Sequence, residues 1–346
     1  MSFAIINEST KYTGLGRYAA DVAIATDAKL LSLNLDSSID PSQYPGQVTS
    51  YKPLLKIGNG WYMNHRFPSI FLTGIRKQIE DQISSDTIIH YSSQGIPHLN
   101  LNNRYFYSVH DLFGLDSKYN GDSRLRKLLE INLKHVATGE RIVTVSQYVK
   151  SRLQEFGVNA KIDVIYPPVS RSFKPLDNRV SARKSLGLPE NRRLVLSVSS
   201  LDPRKNLKAV AGTMKLLGGG YSLVRVGKPI GDCYSFSNVD DEKLNMIYNA
   251  CDVLLFPSLD EGFGYPLAEA MTVGLPAVAS DIPVFREIAE NAAVLVEPDP
   301  DKLARGIKEA VDNSDIVHIR GIQVAKRYSF DHFRERINES YNQIMA

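Results

Sequence analysis

The sequence predicts an α/β protein built as two doubly wound, parallel-sheet halves, and three observations carry that prediction. Short β-branched runs alternate with segments of helical period along the chain, the pattern of sheets assembled from strand–helix–strand units. Those strands are near-continuous apolar runs, which suits sheets covered by helices on both faces. The 346 residues exceed what one hydrophobic core usually holds, and a proline-rich stretch divides them.

In the first half, strands are predicted over 3–7, 30–35, 87–91, 105–110, 142–145 and 163–166, with helices over 17–26, 69–83, 123–137 and 147–156. Residues 166–189 contain Pro167, Pro168, Pro175 and Pro189 and show no clear period. An extended, semi-rigid connector is expected there, with the domain boundary after residue 172. The second half restarts with a strand over 194–199 and continues with strands over 221–226, 252–256, 277–280 and 293–296. The last segment, 329–346, is helical in pattern, with Phe330, Phe333, Ile337, Tyr341 and Ile344 at its apolar positions. The expected domains are therefore 1–172 and 173–328, followed by a terminal helix over 329–346.

Composition is that of an ordinary globular chain, 43% hydrophobic and 23% charged. Forty-one Lys plus Arg against 38 Asp plus Glu leaves a formal charge of +3, too small to imply nucleic acid as a partner. Cys233 and Cys251 are too few for a disulfide framework or a zinc quartet, and reduced thiols are expected. No apolar run approaches the ~18 residues of a spanning helix. The opening MSFAIINEST has no charged leader region and reads as a first strand, so a cytoplasmic protein is expected.

The richest stretch for chemistry is SLDEGFGYPLAEAMTVG, residues 258–274, between the strands DVLLFP and AVAS. Pro266 suits a first helical turn and Gly274 a C-cap, which specifies a short helix over 266–273. Gly262 and Gly264 let the preceding loop bring backbone N–H groups close to a ligand. A helix start behind such a loop suits an anion, a diphosphate above all. Glu269 is placed to accept two hydrogen bonds from a vicinal diol such as a ribose, and Glu261 to face the hydroxyls of another ring. At the end of the 194–199 strand, Arg204 and Lys205 are placed to neutralise a leaving diphosphate. Taken singly, a Gly-rich turn with acids and an Arg-Lys pair are also ordinary surface features. Their place at one sheet edge is what favours a site.

The spacing Glu261-x7-Glu269 within EGFGYPLAEAM, preceded by DPRKN and ACDVLLFPS, resembles the retaining family 4 glycosyltransferases of GT-B architecture. TVSQYVKSRL at 144–153 and VHDL at 109–112 extend the resemblance into the first half. It implies two Rossmann-like domains facing a central cleft, with the terminal helix returning to the first domain. Further, it implies that Arg204 and Lys205 bind the donor diphosphate, Glu269 the ribose hydroxyls, and Glu261 the donor sugar. Gly262, Phe263 and Gly264 match the loop whose backbone contacts sugar and phosphate, and His110 matches a histidine near the transferred sugar. Gly14 and Gly16 match a glycine loop closing over the phosphates, and Val239 the segment that reads the base. Ser199 and Ser237-Asn238 depart from the family's usual Gly and Gly-Tyr, and both changes touch the nucleotide pocket. The loop 227–236 is also short for the family.

The implied reaction moves a hexose from a GDP- or UDP-linked sugar to a glycan or lipid-linked acceptor with retention. The stretch SDIPVFREI, 280–288, resembles the mannosyl-transferring subset. No Asp-x-Asp pair stands where a donor-binding metal is expected, so a metal-free mechanism is expected. An NAD-dependent oxidoreductase is the rival, because Gly14, Gly16 and Ala19 match G-x-G-x-x-A and Asp36 falls 20 residues past Gly16. Six residues, 8–13, separate that match from the strand, where the fingerprint wants an immediate turn. A non-catalytic glycan-binding module of the same fold is a second alternative, and a sugar-nucleotide epimerase a third. Residues 47–79 carry Lys52, Lys56, Arg66, Arg76 and Lys77 with no acid, interleaved with Tyr51, Trp61, Tyr62, Phe67 and Phe71. That composition suits peripheral contact with an anionic membrane at its inner face, to which Arg124, Arg126, Lys127 and Lys134 add, although a solvated surface with some core aromatics is the commoner source of such a pattern.

Overall fold

Both halves expected from periodicity are parallel sheets with helices packed against them. The computed structural model describes residues 2–9, 13–33, 49–50, 75–116 and 123–345. The chain divides into unit 1, Met1–Pro167 with Asp331–Ala346, and unit 2, Pro168–Phe330.

Unit 1 contains β1 (Phe3–Asn7), β2 (Lys29–Ser32), β3 (Thr49–Ser50), β4 (Ile88–Tyr91), β5 (Tyr105–Val109), β6 (Ile142–Thr144) and β7 (Ile162–Val164). Their order is β3-β2-β1-β4-β5-β6-β7, and every pairing is parallel. The helices are α1 (Gly14–Thr26), α2 (75–80), α3 (Ser123–Thr138) and α4 (Gln147–Glu155). Apolar strand residues such as Ile5, Ile6, Ile89, Phe106 and Val143 are wholly buried. Each such side chain contributes about 2 kcal/mol of burial free energy.

Unit 2 begins with helix α5 (Arg179–Ser185), then β8 (Arg193–Val198), α6 (Leu207–Leu217), β9 (Tyr221–Val226), β10 (Tyr234–Phe236), α7 (Asp241–Ala250), β11 (Val253–Phe256) and α8 (Tyr265–Val273). It continues with β12 (Ala277–Ser280), α9 (Pro283–Ala289), β13 (Val294–Val296), α10 (Pro300–Asp312) and α11 (Ser314–Ala325). The parallel sheet is ordered β10-β9-β8-β11-β12-β13. Val195, Leu223, Val253, Leu255 and Val278 pack on one face against Val210 of α6 and Leu303 and Ile307 of α10. In both sheets the order reverses beside the first strand, at β1/β4 and at β8/β11. Ligands of open α/β sheets bind outside the carboxyl ends of the strands at such a point.

The final helix α12 (Phe330–Met345) packs on unit 1 through buried Phe333, Ile337 and Tyr341. Tyr341 Oη lies 2.7 Å from His90 Nδ1, Ser340 Oγ donates to Asp163 at 2.7 Å, and Asn338 Nδ2 donates to the Ala25 carbonyl at 2.9 Å.

Two expectations need correction. The proline-rich stretch 166–189 is not an extended connector throughout, because it contains α5, capped by Asn178, whose side chain accepts from Ser181 N. Arg183 of that helix is buried on the Asp252 carboxylate at 2.6 Å and on the Ala250 carbonyl at 2.8 Å. Tertiary bonding of this kind overrides a weak local period. The 227–236 loop is also partly a strand, since β10 pairs in parallel with β9.

Candidate functional site

The loops that leave β8 and β11 stand side by side, because those strands are neighbours where the order of sheet 2 reverses. The first loop runs from Ser199 into a turn of 3-10 helix at Pro203–Lys205, started by Pro203 and by the Asp202 carboxylate, which accepts from Arg204 N at 2.9 Å. The second runs through Ser258 to Gly264. They are tied together twice. Leu259 N donates to the Arg204 carbonyl at 2.7 Å, and Lys205 Nζ meets Glu261 Oε1 at 2.5 Å.

Both cations of the first loop have an acid at hand. Arg204 Nε lies 3.2 Å from each Asp202 oxygen, and its Nη2 lies 2.6 Å from Oδ2. Burial pushes the Asp202 carboxyl up, and the hydrogen bonds and charge of Arg204 outweigh this and hold it below the usual range. Lys205 uses one of its three N–H donors on Glu261 and also lies 5.9 Å over the Phe256 ring. Glu261 is buried, and Lys205 keeps its carboxylate company in a poorly solvated place.

Gly264 begins α8 at φ +102°, and a Cβ there would meet the Phe285 ring at 2.7 Å. Glycine alone fits that corner. Phe263 is buried between Tyr265 and Tyr328, with ring centroids 5.4 and 5.3 Å away, and Gly262 is buried beside it. Glu269 lies one turn into α8, which starts at Tyr265. It is 2% exposed and accepts a hydrogen bond from Tyr248 Oη of α7 at 2.7 Å. Val239 is half-buried in the turn before α7, next to the N-cap Asp240.

In unit 1, His110 follows β5. Its Nε2 lies 2.8 Å from the Ser92 carbonyl oxygen, which only accepts, so the proton is on Nε2 and Nδ1 is the acceptor. Burial lowers its pKa to about 4, against a raising effect from the Ser92 hydrogen bond, so the ring is neutral near pH 7. Tyr18 of α1 packs edge-on at 4.6 Å, and Gln94 Oε1 accepts from His110 N at 3.0 Å. Gly14 and Gly16 do not form a loop. They are the first and third residues of α1, because Thr13 caps the helix by accepting from Gly16 N at 3.1 Å, three residues earlier than the apolar period implies. Residues 8–13 still separate this helix start from β1, and the Asp36 of the dinucleotide reading lies outside the described residues.

The sequence pattern marks none of Asp202, Tyr248, Ser92 and Gln94 as functional. Asp202 stands within DPRKN, two residues from Arg204. The other three are found only through the fold. Among the described residues no group of three His, Cys, Asp or Glu is arranged to hold a metal ion. Cys233 and Cys251 are free thiols. Among the same residues no helix is long and apolar enough to cross a membrane. Lys52, Lys56, Arg66, Tyr51, Trp61, Tyr62, Phe67 and Phe71 lie outside the described residues.

Two doubly wound units, one with cations and acids gathered at the reversal of its sheet, are the features of α/β enzymes that seat a nucleotide at a strand-end crevice. Comparison with known proteins narrows the class. The model for Glycosyltransferase Family 4 matches residues 14–173, and that for Glycosyl transferases group 1 matches 178–327. The O-antigen chain mannosyltransferase RfbU of Salmonella typhimurium is 28% identical over 66% of this chain and 67% of its own. Three other curated relatives are matched over only 25% to 48% of their length. Sucrose-phosphate synthase from Thermosynechococcus elongatus superposes with a TM-score of 0.81 at 17% identity, over 100% of this chain and 99% of that one. HepE of Anabaena, solved with UDP and glucose, gives 0.80 at 16% identity over 99% of both chains. The chain belongs to the family 4-like glycosyltransferases of GT-B architecture, a class that draws its sugar from a nucleotide donor.

Proposed function

We propose that the chain transfers a hexose, mannose by preference, from a GDP- or UDP-linked donor to a glycan or lipid-linked acceptor, with retention and without a metal. The observation that carries this reading is the junction of the two loops, Lys205 Nζ on Glu261 at 2.5 Å and Leu259 N on the Arg204 carbonyl at 2.7 Å. The mannosyl assignment is supported by RfbU and by the stretch 280–288.

When the bond between the anomeric carbon and the diphosphate breaks, negative charge collects on the phosphate oxygens. Arg204 and the two remaining N–H groups of Lys205 stabilise that charge, as pre-placed donors do in a poorly solvated site. Glu261, fixed by Lys205, orients the sugar hydroxyls, and Glu269, fixed by Tyr248, holds the ribose diol. The backbone of Gly262, Phe263 and Gly264 contacts sugar and phosphate, and Val239 reads the base. Gly14 and Gly16, at the head of α1, face the donor phosphates. His110 accepts a sugar hydroxyl at Nδ1, since its neutral ring has no proton there. The reaction is placed in the cytoplasm. Contact with anionic lipid is favoured by exposed Arg126, Lys127 and Lys134 on α3 beside Ile131, which is 48% exposed. Equal sedimentation with neutral and anionic vesicles would remove that contact from the reading.

A thermal-shift panel of nucleotide sugars tests the donor, with GDP-mannose expected to give the largest shift. NMR of the product's anomeric centre tests retention, and an inverted product refutes it. Loss of turnover in chelator, restored by Mn²⁺ or Mg²⁺, refutes the metal-free step. Binding of NAD in place of every nucleotide sugar would return the oxidoreductase.

A further inference from the structure

Arg225, near the end of β9, is wholly buried and heads the largest such side chains. Its Nη1 donates to the Ser197 carbonyl at 3.2 Å, to Ser197 Oγ at 2.9 Å and to Ser199 Oγ at 3.0 Å. Nη2 donates to the Ser199 carbonyl at 2.9 Å, and Nε is buried with no partner. Among the described residues no carboxylate pairs with this guanidinium, and burial pulls its pKa below the ordinary value. An unpaired buried cation is costly, and such a group calls for an anion to explain it.

The place of Arg225 says which anion. Ser199 opens the loop that carries Arg204 and Lys205. Those two are balanced by Asp202 and Glu261, and an ion pair's field falls off faster than a lone charge's. The guanidinium also sets a peptide. Among the described residues no peptide bond is cis, so the N–H of Ser200 points opposite to the Ser199 carbonyl that Arg225 holds. Ser200 is exposed, and its N–H points away from the guanidinium and is polarised from behind. Gly227 makes the approach feasible: at φ +128°, a Cβ there would lie 2.3 Å from the Ser199 carbonyl oxygen and 3.2 Å from Arg225 Nη2.

We propose that Arg225 is the positioning residue of the donor diphosphate: it aims the Ser199–Ser200 peptide at the phosphates and supplies the unbalanced positive charge beneath them. This rests on the donor reading given above. It predicts that Arg225 acts on the diphosphate and leaves the nucleoside part alone, which scaffolding of the strand does not.

The test uses the full chain and either GDP or UDP, whichever the unaltered protein binds more tightly, beside the matching nucleoside. Titration calorimetry measures the diphosphate and ligand-observed NMR the nucleoside. R225M is expected to weaken diphosphate binding at least tenfold and nucleoside binding less than twofold. R225K, which retains the charge, is expected within about threefold of the unaltered chain. R225Q, which keeps a donor for the Ser199 carbonyl without the charge, is expected to lose at least fivefold and carries the test should R225M fail to fold. An unchanged diphosphate affinity in the neutral variants, or an equal loss for diphosphate and nucleoside, overturns the role of Arg225 alone. Absence of diphosphate binding by the unaltered chain overturns the donor reading and this inference with it.

Discussion

Replacing Lys205 by Met separates two duties that one ammonium carries. The first is structural, since Lys205 Nζ lies 2.5 Å from Glu261 Oε1 with the side chains 19% and 10% exposed. A charge-assisted hydrogen bond contributes about 1.5–3 kcal/mol, and its removal strands a mostly buried carboxylate. A loss of about 2 kcal/mol lowers the melting temperature of a domain this size by roughly 4–8 °C. The second duty is toward the leaving diphosphate. Removing one pre-placed donor from such a site costs about 2.7–4 kcal/mol, or on the order of 10²–10³ in kcat. The double variant K205M/E261Q, with turnover read against E261Q alone because Glu261 itself faces the sugar, tells the two apart. It removes the stranded charge, so the melting temperature recovers while turnover does not. Release of nucleoside diphosphate at saturating donor, beside differential scanning fluorimetry, reads both quantities. Should K205M keep kcat within tenfold, or should the double variant regain turnover along with stability, Lys205 serves only to neutralise Glu261 and the mechanism loses its main cation.

Substituting Glu269 by Gln is expected to reduce the preference for a ribose over a 2′-deoxyribose nucleotide to below about threefold in competition assays, and an unaltered preference would remove Glu269 from the ribose. Gly264→Ala is expected to destabilise unit 2 by on the order of 3 kcal/mol, because φ +102° and the Phe285 ring at 2.7 Å both oppose a Cβ; a full melting curve at the original temperature would contradict this. Unit 1 is expected to weaken in acid. Burial first, then the charge of His110, lowers the pKa of His90 to about 3, and burial lowers that of His110 to about 4, so both stay neutral in the fold while the unfolded chain takes up protons below about pH 6.5. Their contribution is complete above pH 6.5 and is lost as the pH falls from there toward 4, at about 1.4 kcal/mol per unit for each. Hydrogen exchange of β4 and β5 at pH 7 and pH 5, with intrinsic rates corrected, checks it, and equal opening free energies would refute it.

How much of this was legible depends on how local each feature is. Strand β1 and strand β9 fall where periodicity predicts, over 3–7 and 221–226, because a buried apolar run needs no partner to be recognised. Helix α8 falls within a residue of its expected limits because Pro266 and Gly274 mark both ends. Helix α5 is hidden among prolines, since what holds it is Arg183 on Asp252, 69 positions away. The early start of α1 is hidden in one hydroxyl, Thr13, and so two glycines read as a loop. Within the site, the motif names Arg204, Lys205, Glu261 and Glu269. Their partners are another matter. Lys205 meets Glu261 across 56 positions and Glu269 meets Tyr248 across a helix pair, so only the strand order brings them together.

That hidden pairing changes the electrostatic argument. Read along the sequence, DPRKN offers two cations to a diphosphate. Read in the fold, Asp202 and Glu261 cancel both at contact distance, and an incoming phosphate must compete for hydrogen bonds already made. Such exchange gives orientation more than attraction, because a paired charge acts on a third group as a dipole. Long-range pull then has to come from a charge with no acid beside it, and Arg225 is one, 19 positions beyond the motif on the adjoining strand. The consequence is a salt dependence that sorts with Arg225: raising ionic strength should weaken diphosphate binding to the unaltered chain more than to R225M, since screening acts on the unbalanced charge. If both proteins weaken in parallel, the pull resides in the paired cations after all, and the fold has not cancelled what the motif supplies.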